Sequence, residues 1–478
     1  MNEANQIEPN PSPQAGAPRL AASFRDPSGF LFRRSGRLLR QVNLAYQADY
    51  DRLMTSGLYA RLVKKKLLVA HQEVDEAPAQ PVLAYRVIEP ELVPFISYPY
   101  EWSFSQLKDA ALLTLAVQKE ALKAGMSLKD ASAYNVQFVH GAPRLIDTLS
   151  FACYTEGEPW QAYRQFCQHF LAPLALMSLN DVRLGKLLQV HLDGIPLDLA
   201  SRLLPWRTRL NFGLLSHIHA HAAAQQRYAG QDVRSGPRKA QISKQAMLGL
   251  IDSLESSVKK LAWKPGGTAW ADYYRETNYS DQAFDEKKRL VSEMLLRLAP
   301  RTVWDLGANT GVFSRLAAEL PGCLVISSDF DPAAVEIDYL ENRRLKAGAL
   351  LPLVLDLTNP SPAIGWGNCE REAFIERGPA DVVVALALVH HLAIANNVPL
   401  PEIARLLARL GRSLLIEFVP KGDSQVEKLL AARQDIFPDY TEEGFLKAFG
   451  AEFDLLERRP IQGSDRTLFL FTRPAAGE

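Results

Sequence analysis

From about residue 285 onward the chain keeps returning to one pattern: a short run rich in β-branched and other apolar residues, then a stretch of helical period. The runs are RTVWDL, LVISSD, LPLVLD, DVVVAL and RSLLIEF. Runs this short and this continuously apolar suit strands buried on both faces better than core helices. Alternation with helices then implies a parallel sheet covered by helices on both sides, an α/β fold. No internal repeat or long low-complexity tract competes with that reading.

Length and composition bound the rest. At 478 residues the length prior is about three units, and certainly more than one. Hydrophobic residues at 47% and charged residues at 23% exclude a wholly disordered or fibrous chain. Lys+Arg and Asp+Glu are both 54, so the total gives no electrostatic footprint for duplex nucleic acid. Cys153, Cys167, Cys323 and Cys369 have no short paired spacing, which excludes a disulfide framework and the common zinc signatures. No metal site is expected. No apolar run is long enough to cross a bilayer, and the N-terminus lacks an apolar signal core. These features predict a cytoplasmic protein with a disordered leader over residues 1–22 and no membrane partner; oligomeric state is not legible.

Residues 23–229 read as an α+β domain. A hairpin over 24–43 turns at Ser35-Gly36, a helix over 45–68 breaks at Ser56-Gly57, and extended segments follow at 68–74 and 82–96. Residues 107–123 form an amphipathic helix, followed by a loop and a hairpin turning at Gly141-Ala142. Residues 160–188 are helical with an interruption near Pro173. The polar, Gly- and Pro-bearing segment around GQDVRSGPRKAQ predicts a linker over 230–245 and a second domain over 246–478, whose sheet is complete without the first.

Chemistry concentrates after the first of the short strands. VWDLGANTG spans residues 303–311, between a strand and the helix VFSRLAAEL. Gly307 and Gly311 lack a β-carbon, so the backbone can turn tightly and approach a ligand. Asn309 stands where a third glycine is common, and Asn best tolerates a left-handed conformation among the other residues. The second strand ends at Asp329, 24 residues beyond Asp305. An acid in that position, about 20 residues on, can accept bonds from both ribose hydroxyls of a nucleoside. The third strand ends at Asp356, placed for an adenine amino group, and the fourth runs through Ala385 into His390, His391 and Leu392.

Glycine loop, successive acids and HHL together resemble the class I S-adenosylmethionine-dependent methyltransferases over about residues 285–473. The resemblance implies a Rossmann-like, seven-stranded methyltransferase sheet closed by a C-terminal antiparallel hairpin, here FDLLERRPIQGSDRTLFLFTR. It implies S-adenosylmethionine as cofactor, with Asp305, Gly307 and Gly311 around the methionine half and Asp329 on the ribose. Asp356 and Leu357 would flank the adenine, and Asn309 and Ala385 complete the cofactor-binding set. A sulfonium methyl is already activated, so alignment of the incoming lone pair supplies most of the rate. A hydroxyl or protonated nitrogen acceptor would also lose a proton, for which His390, His391 and Glu417 are the catalytic candidates. The two histidines could instead cap and pack a helix turn. Glu417 could be a solvated strand end, and Trp366 either core or a pocket wall. A dinucleotide enzyme, or a fold kept without activity, are the competing readings.

In the first domain, LKDASAYNVQFVHGAPRLIDTLSF places Asp130, Asn135 and Asp147 on a loop, a hairpin and its exit. Residues 107–151 resemble the catalytic segment of protein-kinase-like phosphotransferases, which implies an acid near an acceptor and an asparagine and acid on metal. The sequence departs from that pattern. Ser127-Leu128-Lys129 has no histidine, Thr148 follows the second acid, no glycine-rich phosphate loop occurs upstream, and Lys64 to Lys66 form a helical run.

The reading adopted is a two-lobe enzyme moving the methyl of S-adenosylmethionine to an acceptor. A missing Asn-Pro-Pro-aromatic run tilts that acceptor toward a small molecule or glycan. The alternatives are an ATP-dependent phosphotransferase or nucleotide-binding regulator in the first lobe, or a non-catalytic scaffold.

Overall fold

The computed structural model describes residues 19–228, 241–266, 280–431 and 434–474. The expected leader and linker fall largely outside these residues.

The first lobe begins with a four-stranded antiparallel sheet in the order β1 (Gly29–Arg34), β2 (Arg37–Asn43), β4 (Ala84–Pro90), β3 (His71–Glu73). Ser35 at φ +50° and Gly36 at φ +76° make the turn between β1 and β2, the double left-handed geometry that matches strand twist. The expected helix over 45–68 is two, Gln47–Thr55 and Leu58–Lys64, parted at Gly57. The central helix, Phe104–Lys123, starts three residues before the apolar stripe predicts, because Ser103 and Gln106 form a capping box there.

Two short pairs follow: β5 (Met126–Leu128) with β8 (Phe151–Cys153), and β6 (Val136–Val139) with β7 (Ala142–Leu145). The β6–β7 turn is His140-Gly141, not Gly141-Ala142; both residues have positive φ, and Ala142 already pairs with Val139. The interruption near Pro173 is a π-helical turn, Cys167–Leu171, before the helix Ala172–Leu179. Pro173 has no N–H to continue the regular ladder across that point.

The second lobe holds a seven-stranded sheet in the order β11-β10-β9-β12-β13-β15-β14. The strands are β9 (Thr302–Leu306), β10 (Leu324–Asp329), β11 (Leu350–Val354), β12 (Ala380–Ala385), β13 (Gly411–Phe418), β14 (Asp454–Pro460) and β15 (Thr467–Thr472). β9 to β13 are parallel; β15 inserts antiparallel between β13 and β14. The α/β expectation and the closing antiparallel hairpin are both met. Helices Pro332–Leu345 and Leu400–Leu410 bury Ala333, Tyr339, Ile403 and Leu407 against it.

The two lobes share a core rather than meeting across a wet seam. Phe95 meets Trp304 edge to face at 5.7 Å, inside one cluster of buried apolar residues that runs through both lobes. Polar contacts pin it. Arg377 holds buried Glu101 through two bonds of 2.5 and 2.9 Å, Gln106 Nε2 donates to the Pro352 carbonyl at 3.0 Å, and the Tyr339 hydroxyl donates to Asp109 at 2.7 Å. Burial alone would push the Glu101 carboxyl up; the Arg377 guanidinium reverses this and holds it below its ordinary value. Residue 246, the expected start of the second domain, lies in the helix Lys244–Lys260, which packs along Phe104–Lys123 of the first lobe with Lys119 paired to Asp252 at 2.6 Å. The second sheet is complete by itself, but its β11 edge is seated on first-lobe side chains. The expectation that it stands alone is corrected on that ground.

Removing one partner of a buried ion pair strands the other. Glu101→Ala should therefore cost about 3–5 kcal/mol of unfolding free energy, while the double variant Glu101→Gln/Arg377→Met should recover most of it. Urea denaturation of the three proteins checks this; a single variant within about 1 kcal/mol of wild type would show the junction to be weak.

Candidate functional site

The loop after β9 turns three times into left-handed backbone, at Gly307 (φ +72°), Asn309 (φ +51°) and Gly311 (φ +74°). Asn309 does what its residue type allows. The N–H groups of Gly307 and Ala308 donate to the Ser328 carbonyl at 2.8 and 2.9 Å, drawing the loop over β10. At Gly311 a β-carbon would lie 2.1 Å from Asp338 Oδ1, so no larger residue fits. Asp338 is itself fixed by Arg315 at 2.8 Å and the Ser327 hydroxyl at 2.7 Å.

Behind this loop a cavity of about 390 Å³ opens at the C-terminal ends of β9 to β12. That is where open α/β sheets bind ligands, and the size suits a small organic molecule. Its walls are mainly apolar: Phe284, Phe313, Phe330, Leu355, Leu357, Leu386, Leu388, Leu392 and Leu429. Asp305, Gly307, Asn309, Asp329, Asp356, Leu357 and His391, all singled out from the sequence, line it together.

Asp329 is 6% exposed at the wall. Its Oδ2 accepts from the Asn309 N–H at 2.8 Å and its Oδ1 from the Asp331 N–H at 2.9 Å, which fixes the plane of the carboxylate. Burial raises its pKa to about 6 against those two bonds. Asp305 lies deeper, accepting from the Ser314 hydroxyl at 2.5 Å, and burial raises it to about 7. Asp356 is exposed at the mouth, where its Oδ1 accepts from both the N–H and the hydroxyl of Thr358.

Other sequence candidates lie outside the cavity lining. Gly311 shapes the loop from behind. Ala385 is buried in β12, and the next residues, Leu386 to Leu388, make the wall, with Ala387 in left-handed backbone at φ +50°. Such strain in a non-glycine residue persists only where surrounding structure enforces it. His390 is wholly buried, its ring 4.1 Å from that of His391, and neither of its nitrogens has a partner among the described residues. Burial, then His391 beside it and the charges of Arg466 and Lys287, hold it neutral. His391 reaches the cavity with its pKa lowered to about 4 by burial and by Arg466. Glu417 is neither solvated nor in the cavity. It is fully buried, 2.7 Å from Lys287 and 3.8 Å from Arg466, which in turn holds Asp423 at 2.7 Å. Trp366 is 70% exposed and forms neither core nor wall.

Sequence reasoning missed Phe284, Lys287, Phe313 and Leu429. One signal was available: Lys287 interrupts an apolar stripe of Ala283, Leu290, Val291, Met294 and Leu295 on the helix Asp281–Leu298, and is buried there. A lysine in that place implies a partner acid, here Glu417.

In the first lobe Asp147 does face a cation, the guanidinium of Arg40 from β2, at 2.6 Å. Burial pushes Asp147 up, but Arg40 and the bonds from Ser150 and Leu149 bring it below its ordinary value. Asn135 Nδ2 donates to the Ser150 hydroxyl at 3.2 Å, and Ser150 donates to Asp147 at 2.7 Å. Asp130 is raised by burial and by Asp147. Among the described residues no group of three His, Cys, Asp or Glu is arranged to hold a metal ion, and no helix is long and apolar enough to cross a membrane.

A carboxyl raised in the folded state keeps its proton longer than in the unfolded chain, so it withdraws stability as pH climbs from about 4 through its folded pKa. For Asp305 that window ends near 7. Asp305→Asn should therefore gain melting temperature relative to wild type as pH rises from about 5 to 8. A difference that stays flat over that range would place the Asp305 charge elsewhere than in a desolvated site.

No family model matches the chain. Among solved structures it is similar to the magnesium protoporphyrin IX methyltransferase ChlM of Synechocystis PCC 6803 with bound SAM, at 17% identity and a TM-score of 0.30 over 43% of this chain and 90% of that one. It is also similar to the N-methyltransferase NodS of Bradyrhizobium japonicum WM9, at 16% and 0.30 over 41% of this chain and 100% of that one. A third likeness is to the bifunctional kinase-methyltransferase WbdD, at 18% and 0.29 over 40% of each chain. The chain is 38% identical over 472 residues to the nodulation protein NoeA of Rhizobium meliloti (strain 1021), covering 96% of this chain and 98% of that one. At that identity and coverage, the chain belongs to the NoeA family of nodulation proteins.

Proposed function

We propose that the second lobe binds S-adenosylmethionine and transfers its methyl group to a small-molecule or glycan acceptor. The observation that carries this reading is a buried carboxylate, Asp329, held by two backbone N–H groups in the wall of an apolar cavity beside the glycine loop.

The residues present fit the cofactor. Asp329 has acceptor capacity left for ribose hydroxyls after its two backbone bonds. Asp356, steadied by Thr358 through one oxygen, offers the other to an amino group, and Leu355 and Leu357 provide apolar surface beside it. The left-handed loop at Gly307 removes side-chain bulk where the methionine half would lie: a β-carbon there would come 3.1 Å from Leu388. When bound, the cofactor supplies a methyl group already activated by the sulfonium.

The chain then has to orient the acceptor and keep water out. Phe284, Phe313, Leu388, Leu392 and Leu429 line a largely apolar surface suited to that. His391 is the histidine that reaches the cavity, and its lowered pKa keeps it neutral at physiological pH, able to accept a hydrogen bond from an acceptor group. Glu417 serves as the counter-charge of Lys287 and Arg466, and His390 packs behind His391. In the first lobe the Arg40–Asp147 pair places a guanidinium where the kinase-like reading puts metal, which favours a supporting role for that lobe.

Calorimetric titration of the full chain should show binding of S-adenosylmethionine and S-adenosylhomocysteine and no heat with magnesium-ATP. Asp329→Ala should weaken the first two by about 1.5–3 kcal/mol, the value of hydrogen bonds to a charged group. Unchanged affinity in a folded variant would displace the ribose from this wall, and binding of ATP alone would overturn the assignment.

The role of His391 is separable. His391→Ala should leave cofactor affinity within about threefold while cutting methyl transfer by about a hundredfold, the low end for a positioned polar group. Transfer of labelled methyl into a panel of oligosaccharides, small alcohols and amines is the readout. Because burial lowers the His391 pKa to about 4, the rate at saturating cofactor should show no inflection at pH 6 to 7, while cofactor affinity should fall as pH drops through about 6 and Asp329 takes up its proton. An inflection in the saturated rate would assign the proton to another group.

A further inference from the structure

The C-terminal part of the first lobe carries large apolar side chains that nothing covers among the described residues. Trp206, Leu210 and Phe212 are 75%, 78% and 77% exposed, flanked by Leu203 and Leu215 at 39% and 40%. Single exposed apolar residues are ordinary, but this many in one stretch mark an interaction surface. Arg202, Arg207 and Arg209 alternate with them, all exposed, and the sequence has no acid between Asp198 and Asp232.

The stretch is held firmly. His219 is bonded through both ring nitrogens, Nδ1 with the Ser201 hydroxyl at 2.7 Å and Nε2 with the Thr208 hydroxyl at 2.9 Å. Thr208 also donates to the Pro205 carbonyl at 2.6 Å, and Asn211 Oδ1 accepts from the Leu214 N–H at 3.1 Å. Gly213 sits so close to the helix Lys244–Lys260 that a β-carbon would lie 2.1 Å from Ser257 Oγ. Trp206, Leu210 and Phe212 are therefore presented outward by a built platform.

We propose that residues 202–215 dock this protein onto the surface of an anionic lipid bilayer. Tryptophan and arginine side by side suit the headgroup layer: the indole lies at the apolar boundary and the guanidinium meets lipid phosphate. Interfacial segments combine an apolar side with arginine and lysine in this way. A second copy of the chain is a poor occupant, since a two-fold contact would set the same arginines against one another. The sequence reading expected no membrane partner because no segment can span a bilayer; docking on its surface needs no span. This inference does not depend on the methyl-transfer reading.

The test is co-sedimentation of the full chain with sucrose-loaded vesicles, of phosphatidylcholine alone or of an equimolar mixture with phosphatidylglycerol. Wild type should pellet with the anionic vesicles, less so at high salt, and remain in solution with the neutral ones. The variant Trp206→Ser/Leu210→Ser/Phe212→Ser and the variant Arg202→Gln/Arg207→Gln/Arg209→Gln should each bind about tenfold or more weakly, at wild-type circular dichroism. Spin-labelled lipid should quench wild-type fluorescence, and this quenching should fall in Trp206→Phe. Absence of pelleting, equal pelleting of the variants, or a dimer that the serine variant converts to monomer without any lipid binding would each overturn the proposal.

Discussion

The geometry of the second lobe depends on one close approach: the backbone at Gly311 against the carboxylate of Asp338. With no room for a β-carbon there, the loop from Gly307 to Gly311 lies down on β10, and its N–H groups reach Ser328 and Asp329. That places a buried carboxylate at the edge of an apolar cavity with both oxygens already oriented. A carboxylate so desolvated would be costly as mere filling, and Asp305, Asp329 and Asp338 are all raised by burial in the same region. Desolvated acids gathered beside a cavity are common at binding sites.

A buried set of ion pairs, Lys287–Glu417–Arg466–Asp423, lies in the same lobe. It ties the helix before β9 to β13 and to the chain just before β15. Burial keeps both histidines after β12 neutral, and the nearby cation of Arg466 adds to it. Lys287, the member of this set that lines the cavity, is thus held by groups distant in sequence, which links the antiparallel hairpin to the pocket.

Much of this was legible in the residues. Short apolar runs gave the parallel strands, and Asn309 in a glycine slot was read as left-handed and is. The acids at the ends of β10 and β11 were found because their position follows from strand length and not from tertiary detail. The first lobe's break at Gly57 and turn at Ser35-Gly36 were local, and local chemistry located them. What escaped was long-range. Glu417 reads as a pocket acid until Lys287 and Arg466, far away in the chain, are brought onto it. The kinase-like resemblance implies metal at Asp147, but the cation that β2 delivers there is Arg40. The shared core of the lobes was hidden for the same reason: Glu101 and Arg377 look like ordinary surface charges when their spacing in sequence is all that is known.

A structure of the full chain crystallised with S-adenosylhomocysteine tests the account most directly. The account predicts a nucleoside with its ribose hydroxyls on the Asp329 carboxylate and its base beside Asp356 and Leu357. Density for the nucleoside elsewhere, in the first lobe above all, or none in this cavity at saturating ligand, would contradict it.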